Sequence, residues 1–161
     1  MNSQEVLNYL AVICKRRNAQ FDVLPCDKLR DVNILKYPCC LVVNNQPSTE
    51  GGQHWIAFYI NDKSAMVEFY DSFGMGISYY PKEFNDFVIR MDRRVRENIV
   101  KLQSYESTVC GHYCIYFIWE RLNGFSPKAV YARFSNNCKI NDDVVNNFIK
   151  AKKYLLNKKC I

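Results

Sequence analysis

Apolar residues recur every three or four positions at both ends of the chain, which is the spacing of amphipathic helices. Near the N-terminus this pattern predicts a helix over residues 3–17, with Ser3 as its N-cap. A second helix is predicted over about 81–93. Towards the C-terminus we expect a short helix over about 126–134 and a last one capped by Asn141-Asp142-Asp143.

Shorter apolar runs in the middle of the chain predict strands. Cys39–Val43 is apolar throughout, as in a buried strand, and His54–Ile60 and Ala65–Asp71 follow it. The turn-forming segment Asn61–Ser64 would join the last two in a hairpin. Ile99–Leu102 predicts one more short strand.

The register of this hairpin decides which side chains share a face of the sheet. A loop of two residues or of four gives the same pairing, in which His54 lies opposite Asp71. Directly opposed residues have Cβ atoms about 5 Å apart, so the carboxylate would reach the imidazole. Glu68 falls on the other face.

Together these segments predict a single α+β domain over residues 1–161, with a small, mainly antiparallel sheet between helices. A hydrophobic content of 48% suits a packed core, and no segment is long and apolar enough to span a bilayer. We expect no membrane association, a monomer, and an intracellular location because a signal peptide is not apparent.

The eight cysteines are therefore expected to stay reduced. There is no CxxC pair and the chain has two histidines, so neither a metal site nor a cofactor is predicted. Cys110, His112 and Cys114 are close in sequence, but on a helix His112 would point away from the face of the two cysteines.

The net charge of +6 is concentrated in two clusters. They are able to attract DNA or an acidic partner, although solvated helix faces explain such clusters more often. Their members are Arg90, Arg93, Arg94, Arg96 and Lys101 in the first, and Lys150, Lys152, Lys153, Lys158 and Lys159 in the second.

Residues 103–119 begin as a polar loop and become an apolar helix at Cys110. A thiol at a helix start faces unpaired N–H groups and the positive end of the dipole, which favour the thiolate. Gly111 would let a substrate backbone approach, and Gln103 brings an amide donor into the preceding loop. The alternative is that Cys110 and Cys114 are ordinary buried cysteines.

With two histidines, and with His112 pointing elsewhere, His54 is the candidate base for Cys110. Asp71 would orient its ring, and Gln103 with the Cys110 N–H would stabilise an oxyanion. Taken singly, His54 could be a strand histidine beside Trp55, and Asp71 could cap a turn.

The segments Gly51-Gly52-Gln53-His54-Trp55, Phe69 to Gly74, and Gln103 seven residues before Cys110-Gly111 resemble the adenovirus-protease-like cysteine peptidases. That family includes adenain and Polinton proteases and is distantly related to the ubiquitin-like-protein proteases. The resemblance implies His54 as base, Asp71 as ring-orienting acid, Gln103 as oxyanion donor and Cys110 as nucleophile. Adenoviral members use Glu at the acid position, whereas Asp is usual among the ubiquitin-like-protein proteases.

The resemblance implies a thiol endopeptidase that matures viral or mobile-element capsid and core precursors at Gly-Gly-like or Gly-X-Gly sites, in a nucleus or a virion. Gly51, Gly52, Trp55 and Gly111 would border a narrow substrate cleft. The alternatives are an isopeptidase that removes a ubiquitin-like modifier and an inactive domain that binds nucleic acid or peptide.

Adenoviral members are activated by DNA and by a peptide joined through a disulfide. No cysteine lies between Cys40 and Cys110, so any activating peptide is expected to bind non-covalently.

Overall fold

The computed structural model describes residues 1–63, 66–153 and 156. Ser64 and Ala65 of the predicted hairpin, and Lys158 and Lys159 of the second basic cluster, lie outside them. The described elements, in chain order, are α1 (Ser3–Arg16), β1 (Gln20–Pro25), a 3₁₀ turn (Cys26–Asp31), β2 (Cys39–Asn44), β3 (Trp55–Ile60), β4 (Met66–Tyr70), a 3₁₀ turn (Ile77–Tyr79), α2 (Lys82–Arg90), β5 (Arg94–Glu97), α3 (Cys110–Leu122), α4 (Pro127–Tyr131) and α5 (Cys138–Lys152).

The five strands form one sheet in the order β1-β2-β3-β4-β5. The central pairs, β2 with β3 and β3 with β4, are antiparallel, and the outer pairs are parallel. The predicted α+β fold with a sheet between helices is confirmed, and the sheet is mixed. None of the helices within the described residues is long and apolar enough to cross a membrane.

Both faces of the sheet are covered, which explains why β2 and β3 are buried along their whole length. Ala57 and Tyr59 face the core shared with α1, α3 and α5, whereas Ile56 and Phe58 face the core shared with α2. Tyr70 stacks on Phe117 of α3 with ring centroids 4.3 Å apart. Helix α3 is therefore held at the centre of the molecule by apolar contacts on nearly every side.

Two helix starts differ from the predictions because other side chains satisfy the free N–H groups. Asn2, and not Ser3, caps α1 in a reciprocal capping box with Glu5. Helix α5 begins at Cys138 after the cap Asn137, several residues before the predicted Asn141-Asp142-Asp143 cap. Asn141 and Asp142 lie inside α5 and are buried.

The strand predicted at Ile99–Leu102 is wrong. The edge strand is β5, in which Val95 pairs with Val67 while Arg94 and Arg96 point to solvent. Ile99 is 78% exposed, so its apolar character is not used in the sheet. Part of the first basic cluster consequently lies on a strand edge, where charged side chains discourage pairing with another chain.

Candidate active site

His54 and Asp71 flank the β3–β4 hairpin, and its register differs from the prediction by two residues. Ile60 pairs with Val67 and Ala57 with Tyr70, so His54 lies just before β3 and Asp71 just after β4. In the connection between the two strands, Lys63 N–H donates to the Asn61 side chain at 3.1 Å. Because side chains alternate with a period of two, a two-residue shift keeps every side chain on its predicted face.

The structure brings His54 and Asp71 together despite this shift. His54 Nε2 lies 2.7 Å from Asp71 Oδ1, and both side chains are buried. With Nε2 engaged, Nδ1 is the ring nitrogen left for Cys110, which lies close enough to raise the pKa of His54. Phe73 stacks on the imidazole with centroids 4.7 Å apart, which restricts rotation of the ring.

Cys110 is the first residue of α3, as predicted, and Val109 before it provides no side-chain cap. The backbone N–H groups of Trp55 and Gly111 are near enough to its sulfur to lower the pKa of the thiol. Burial raises the pKa of Cys110, but the hydrogen bond and charge of His54, together with these two amides, outweigh burial and lower it.

The pKa values of His54 and Asp71 move in the directions that suit an ion pair. Burial lowers the pKa of His54, but its hydrogen bonds with Asp71 and Cys110 outweigh burial and raise it to about 9. Burial raises the pKa of Asp71, but the hydrogen bond and charge of His54 hold it below its ordinary value. All three shifts therefore act in favour of the ionised forms, which are thiolate, imidazolium and carboxylate.

Residues that the sequence did not single out hold Asp71 in place. Its carboxylate also accepts from Phe73 N–H at 3.0 Å, Met75 N–H at 2.8 Å and Tyr80 Oη at 2.8 Å. The buried Asn98 side chain pairs with both backbone groups of Asp71, at 2.8 and 2.6 Å, and so continues the strand pairing beyond β5. Neither Tyr80 nor Asn98 stands in a motif or a periodic pattern.

Gln103 lies in the loop before Cys110, is fully buried, and lines the same cleft. Its Oε1 accepts from Ser72 Oγ at 2.6 Å, and its Nε2 donates to Ser107 O and Ser107 Oγ at 2.9 and 3.0 Å. The amide thus lines the same cleft as the thiol, and its hydrogens are directed at Ser107. An oxyanion would have to replace one of these acceptors.

Helix α5 anchors the loop that carries Gln103. Asp142 accepts from Ser104 Oγ and lies 3.0 Å from Tyr113 Oη of α3. Asn141 Nδ2 donates to Leu102 O at 3.1 Å. The two residues predicted as a cap are therefore buried inside α5, where they tie this loop to the helix.

A cleft of about 600 Å³ opens above Cys110 and His54. Gly51, Gly52 and Trp55 line it, as expected for cleft residues. Gly52 has φ of +79°, a region that side chains disfavour, and an added Cβ would lie 2.6 Å from Asn44 Nδ2.

Gly111 is placed differently from the prediction. It is buried, and an added Cβ would lie 3.1 Å from Met1 Cβ and 3.3 Å from Trp55 Cδ1. The indole of Trp55 also donates to Met1 O at 3.0 Å. Gly111 therefore makes room for the N-terminal segment of the chain and does not border the cleft.

The remaining side chains that could carry chemistry make structural contacts instead. His112 Nδ1 lies 2.7 Å from Asn146 Oδ1 of α5, so the ring turns away from Cys110 as expected. Glu68 is on the opposite face of the sheet from His54, also as expected, and pairs with Arg121. Within the described part of the chain, no three His, Cys, Asp or Glu side chains are placed to hold a metal ion, and its seven cysteines are free thiols.

Known structures share this fold at low sequence identity. ChlaDub1 from Chlamydia trachomatis is 12% identical with a TM-score of 0.66, over 99% of this chain and 94% of its own. The ASFV pS273R protease is 15% identical with a TM-score of 0.56, over 87% of this chain and 62% of its own. The SUMO protease Ulp1 is 14% identical with a TM-score of 0.50, over 97% of this chain and 78% of its own.

A search of curated protein sequences gives no match. The family model described as adenovirus endoprotease matches residues 32–138, about two thirds of the chain. The matched segment contains His54, Asp71, Gln103 and Cys110. The chain therefore belongs to the adenovirus endoprotease family of cysteine peptidases.

Proposed function

We propose that this protein is a thiol endopeptidase that processes viral or mobile-element structural precursors at Gly-Gly-like or Gly-X-Gly sites. The single observation that carries the proposal is the linked array of Cys110, His54 and Asp71 at the edge of a cleft. Family membership supports the reaction class, because cysteine peptidases require this kind of activated thiol.

In the proposed mechanism Cys110 attacks the scissile carbonyl as a thiolate, while His54 holds the proton as an imidazolium. The tetrahedral intermediate collapses when His54 donates this proton to the leaving amine, which yields a thioester on Cys110. A water molecule, deprotonated by His54, then hydrolyses the thioester. Asp71 keeps the imidazole in the required tautomer and compensates its charge throughout.

The Cys110 N–H and the Gln103 amide would stabilise the oxyanion. For Gln103 this requires that one of its hydrogens leaves Ser107 for the developing negative charge. A charged acceptor forms a stronger hydrogen bond than a hydroxyl or carbonyl does, so the exchange is favourable as charge develops.

The preference for glycine in the substrate is supported by the cleft itself. Gly51 and Gly52 form part of its wall, and a side chain at Gly52 would be strained by the φ of +79° and would have to displace the end of the Asn44 side chain. A substrate strand can therefore approach this backbone closely. Small residues next to the scissile bond fit such an approach best, and a Leu there would clash.

A second candidate is a deconjugating isopeptidase that removes a ubiquitin-like modifier. The observation in its favour is the likeness of fold to the SUMO protease Ulp1, together with Asp71 at a position where adenoviral members have Glu. Both substrate classes present a Gly-Gly segment, so the same cleft would serve either.

Purified protein should be incubated with Gly-Gly-X peptides, the same peptides with Leu before the cut, and a panel of ubiquitin-like-modifier conjugates. We expect cleavage of the glycine peptides, much slower cleavage of the Leu peptides, and no activity of Cys110→Ala. Cys138→Ala is the matched control, since Cys138 is a partly exposed thiol on α5. Cleavage of modifier conjugates alone would favour the isopeptidase, and turnover in neither assay would favour a binding domain.

A further inference from the structure

The carboxylate of Asp71 is fully buried, and each of its oxygens has two described donors. Oδ1 accepts from His54 Nε2 and Phe73 N–H, and Oδ2 accepts from Met75 N–H and Tyr80 Oη. Two of the donors are backbone groups fixed by the turn after β4. Among these donors, Tyr80 is the side chain other than His54, and it comes from a separate segment of the chain.

The ring of Tyr80 is held by packing that is independent of the active site. Tyr80 follows the 3₁₀ turn Ile77–Tyr79, is 8% exposed, and packs on Phe69 and Phe84 with centroids 5.7 and 5.5 Å away. Its ring lies nearly parallel to His54, at 15° and 6.2 Å. The core thus determines where the hydroxyl points, and it points at Asp71 Oδ2.

We propose that Tyr80 is a positioning residue of the active site, whose hydroxyl fixes the rotation of the Asp71 carboxylate so that Oδ1 faces His54. The proposal rests on the assignment of Cys110, His54 and Asp71 given above. Tyr80 does not line the cleft, and its hydroxyl acts through Asp71. Without the hydroxyl, Oδ2 keeps one described donor, Met75 N–H, and the rotation of the carboxylate relative to the imidazole is less restricted.

The direction in which the pKa of His54 changes in Tyr80→Phe distinguishes a positioning role of the hydroxyl from a simple effect on the basicity of Asp71. Removal of a donor makes Asp71 a more basic carboxylate, which by itself would raise the pKa of His54. Loss of orientation weakens the contact with His54 and lowers that pKa. We therefore expect the pKa of His54 to fall in Tyr80→Phe if the hydroxyl positions the carboxylate.

The other titratable groups around this array do not change charge in the relevant range. Burial raises the pKa values of Tyr80, Tyr70 and Cys114, so these three groups stay neutral near pH 9. The groups that gain or lose charge are His54, Asp71 and Cys110, which already form the array.

The test is an NMR titration of the histidine rings in Tyr80→Phe. The chain has two histidines, so His112, which contacts Asn146, serves as an internal reference. We expect the His54 midpoint to fall by about 0.5 to 1 pH unit, a three- to tenfold loss of proton affinity, which is the size of one ordinary hydrogen bond. The His112 midpoint should not move, and the alkaline limb of kcat/KM should shift together with His54.

Tyr79→Phe is the matched control, because Tyr79 is the preceding residue and is 68% exposed. It should leave both midpoints unchanged. A variant with 4-aminophenylalanine at position 80 keeps a weaker donor in the same place, so its His54 midpoint should lie between those of the native protein and Tyr80→Phe. If Tyr80→Phe does not fold, this variant alone makes the comparison.

A His54 midpoint that is unchanged or higher in the folded variants would overturn the positioning role. Because the titration needs no substrate, this result is distinct from a failure of the proposed peptidase activity.

Discussion

Replacement of Asp71 by Asn removes the charge at the centre of the array while keeping the size of the side chain. Asp71 is fully buried, and His54 Nε2 is 2.7 Å away. All four described groups around the carboxylate are donors, so the new NH₂ group would face a donor whichever way it turned. The introduced amide is neutral and does not compensate the charge of the imidazolium. Its NH₂ group also cannot accept a hydrogen bond from the donors on its side of the pocket.

The size of the effect follows from the pKa of His54. This pKa is raised from 6.5 to about 9. Each tenfold change in proton affinity corresponds to about 1.4 kcal/mol, so the surroundings favour the imidazolium by roughly 3 kcal/mol. In Asp71→Asn the hydrogen bond and charge of Asp71 are lost, while burial and the effect of Cys110 remain, so we expect the pKa of His54 to fall. The imidazolium would then be less populated near neutral pH, and kcat should fall by about 100-fold or more.

The assay measures kcat and KM on a Gly-Gly peptide together with the His54 titration. KM should change little, because Asp71 lies behind the imidazole and away from the substrate. Glu68→Gln is the control on the other face of the sheet, where Glu68 accepts from Arg121 Nε and a second guanidinium nitrogen at 2.6 and 2.8 Å. It should lower the melting temperature, because it weakens a buried ion pair, and leave kcat of the folded enzyme unchanged.

Two results would refute this reasoning. One is Asp71→Asn protein that is folded and retains both kcat and the raised pKa of His54. The other is a larger loss of kcat in Glu68→Gln than in Asp71→Asn, which would place the functional acid on the opposite face.

Other predictions concern the oxyanion, the cleft wall, pH and DNA. Gln103→Ala should lower kcat by about 10²-fold with little change in KM, and stopped assays at saturating substrate would detect this. An equal loss of kcat in Ser72→Ala would instead indicate a defect of the loop. Gly52→Ala should lower the free energy of unfolding by about 1–2 kcal/mol in urea melts, because the φ of +79° at this position is strained for Ala. The variant should also cleave peptides more slowly. Unaltered stability would contradict the described backbone. The contribution of the His54–Asp71 contact to stability should be lost as the pH rises through about 9, because the pKa of His54 is raised in the folded state. Melting temperatures measured between about pH 7 and pH 10 would show this loss of stability. If the basic cluster at 90–101 binds DNA, turnover stimulated by DNA should fall steeply with added salt, and salt-independent stimulation would argue against an electrostatic contact.

The faces of the central strands could be predicted from the sequence, whereas their register could not. Alternation within His54–Ile60 and Ala65–Asp71 assigns each side chain to one side of the sheet. A shift of two residues leaves that assignment intact, so His54 still meets Asp71 although Ile60 pairs with Val67. The register depends on the length of the connection between β3 and β4, and this length leaves no periodic pattern in the sequence.

The residues that surround the array escaped prediction because their partners are distant in the chain. Asn98 pairs with the backbone of Asp71 27 residues away, and Asp142 contacts Ser104 38 residues away. A buried Asn or Asp at such a position looks like a turn or cap residue in the sequence. The role of Gly111 was not predictable from local sequence either, because its neighbours Met1 and Trp55 come from the N-terminus and from β3.

The most direct test of the central claim is alkylation of the described thiols by iodoacetamide at about pH 6.5, followed by mass spectrometry. Cys110 is 8% exposed and Cys138 is more exposed, so exposure alone predicts that Cys138 reacts first. Because His54 and the two backbone amides lower the pKa of Cys110, we predict that Cys110 reacts first, and that His54→Ala abolishes this preference. Faster labelling of Cys138 or Cys114 in the native protein would contradict Cys110 as an activated nucleophile.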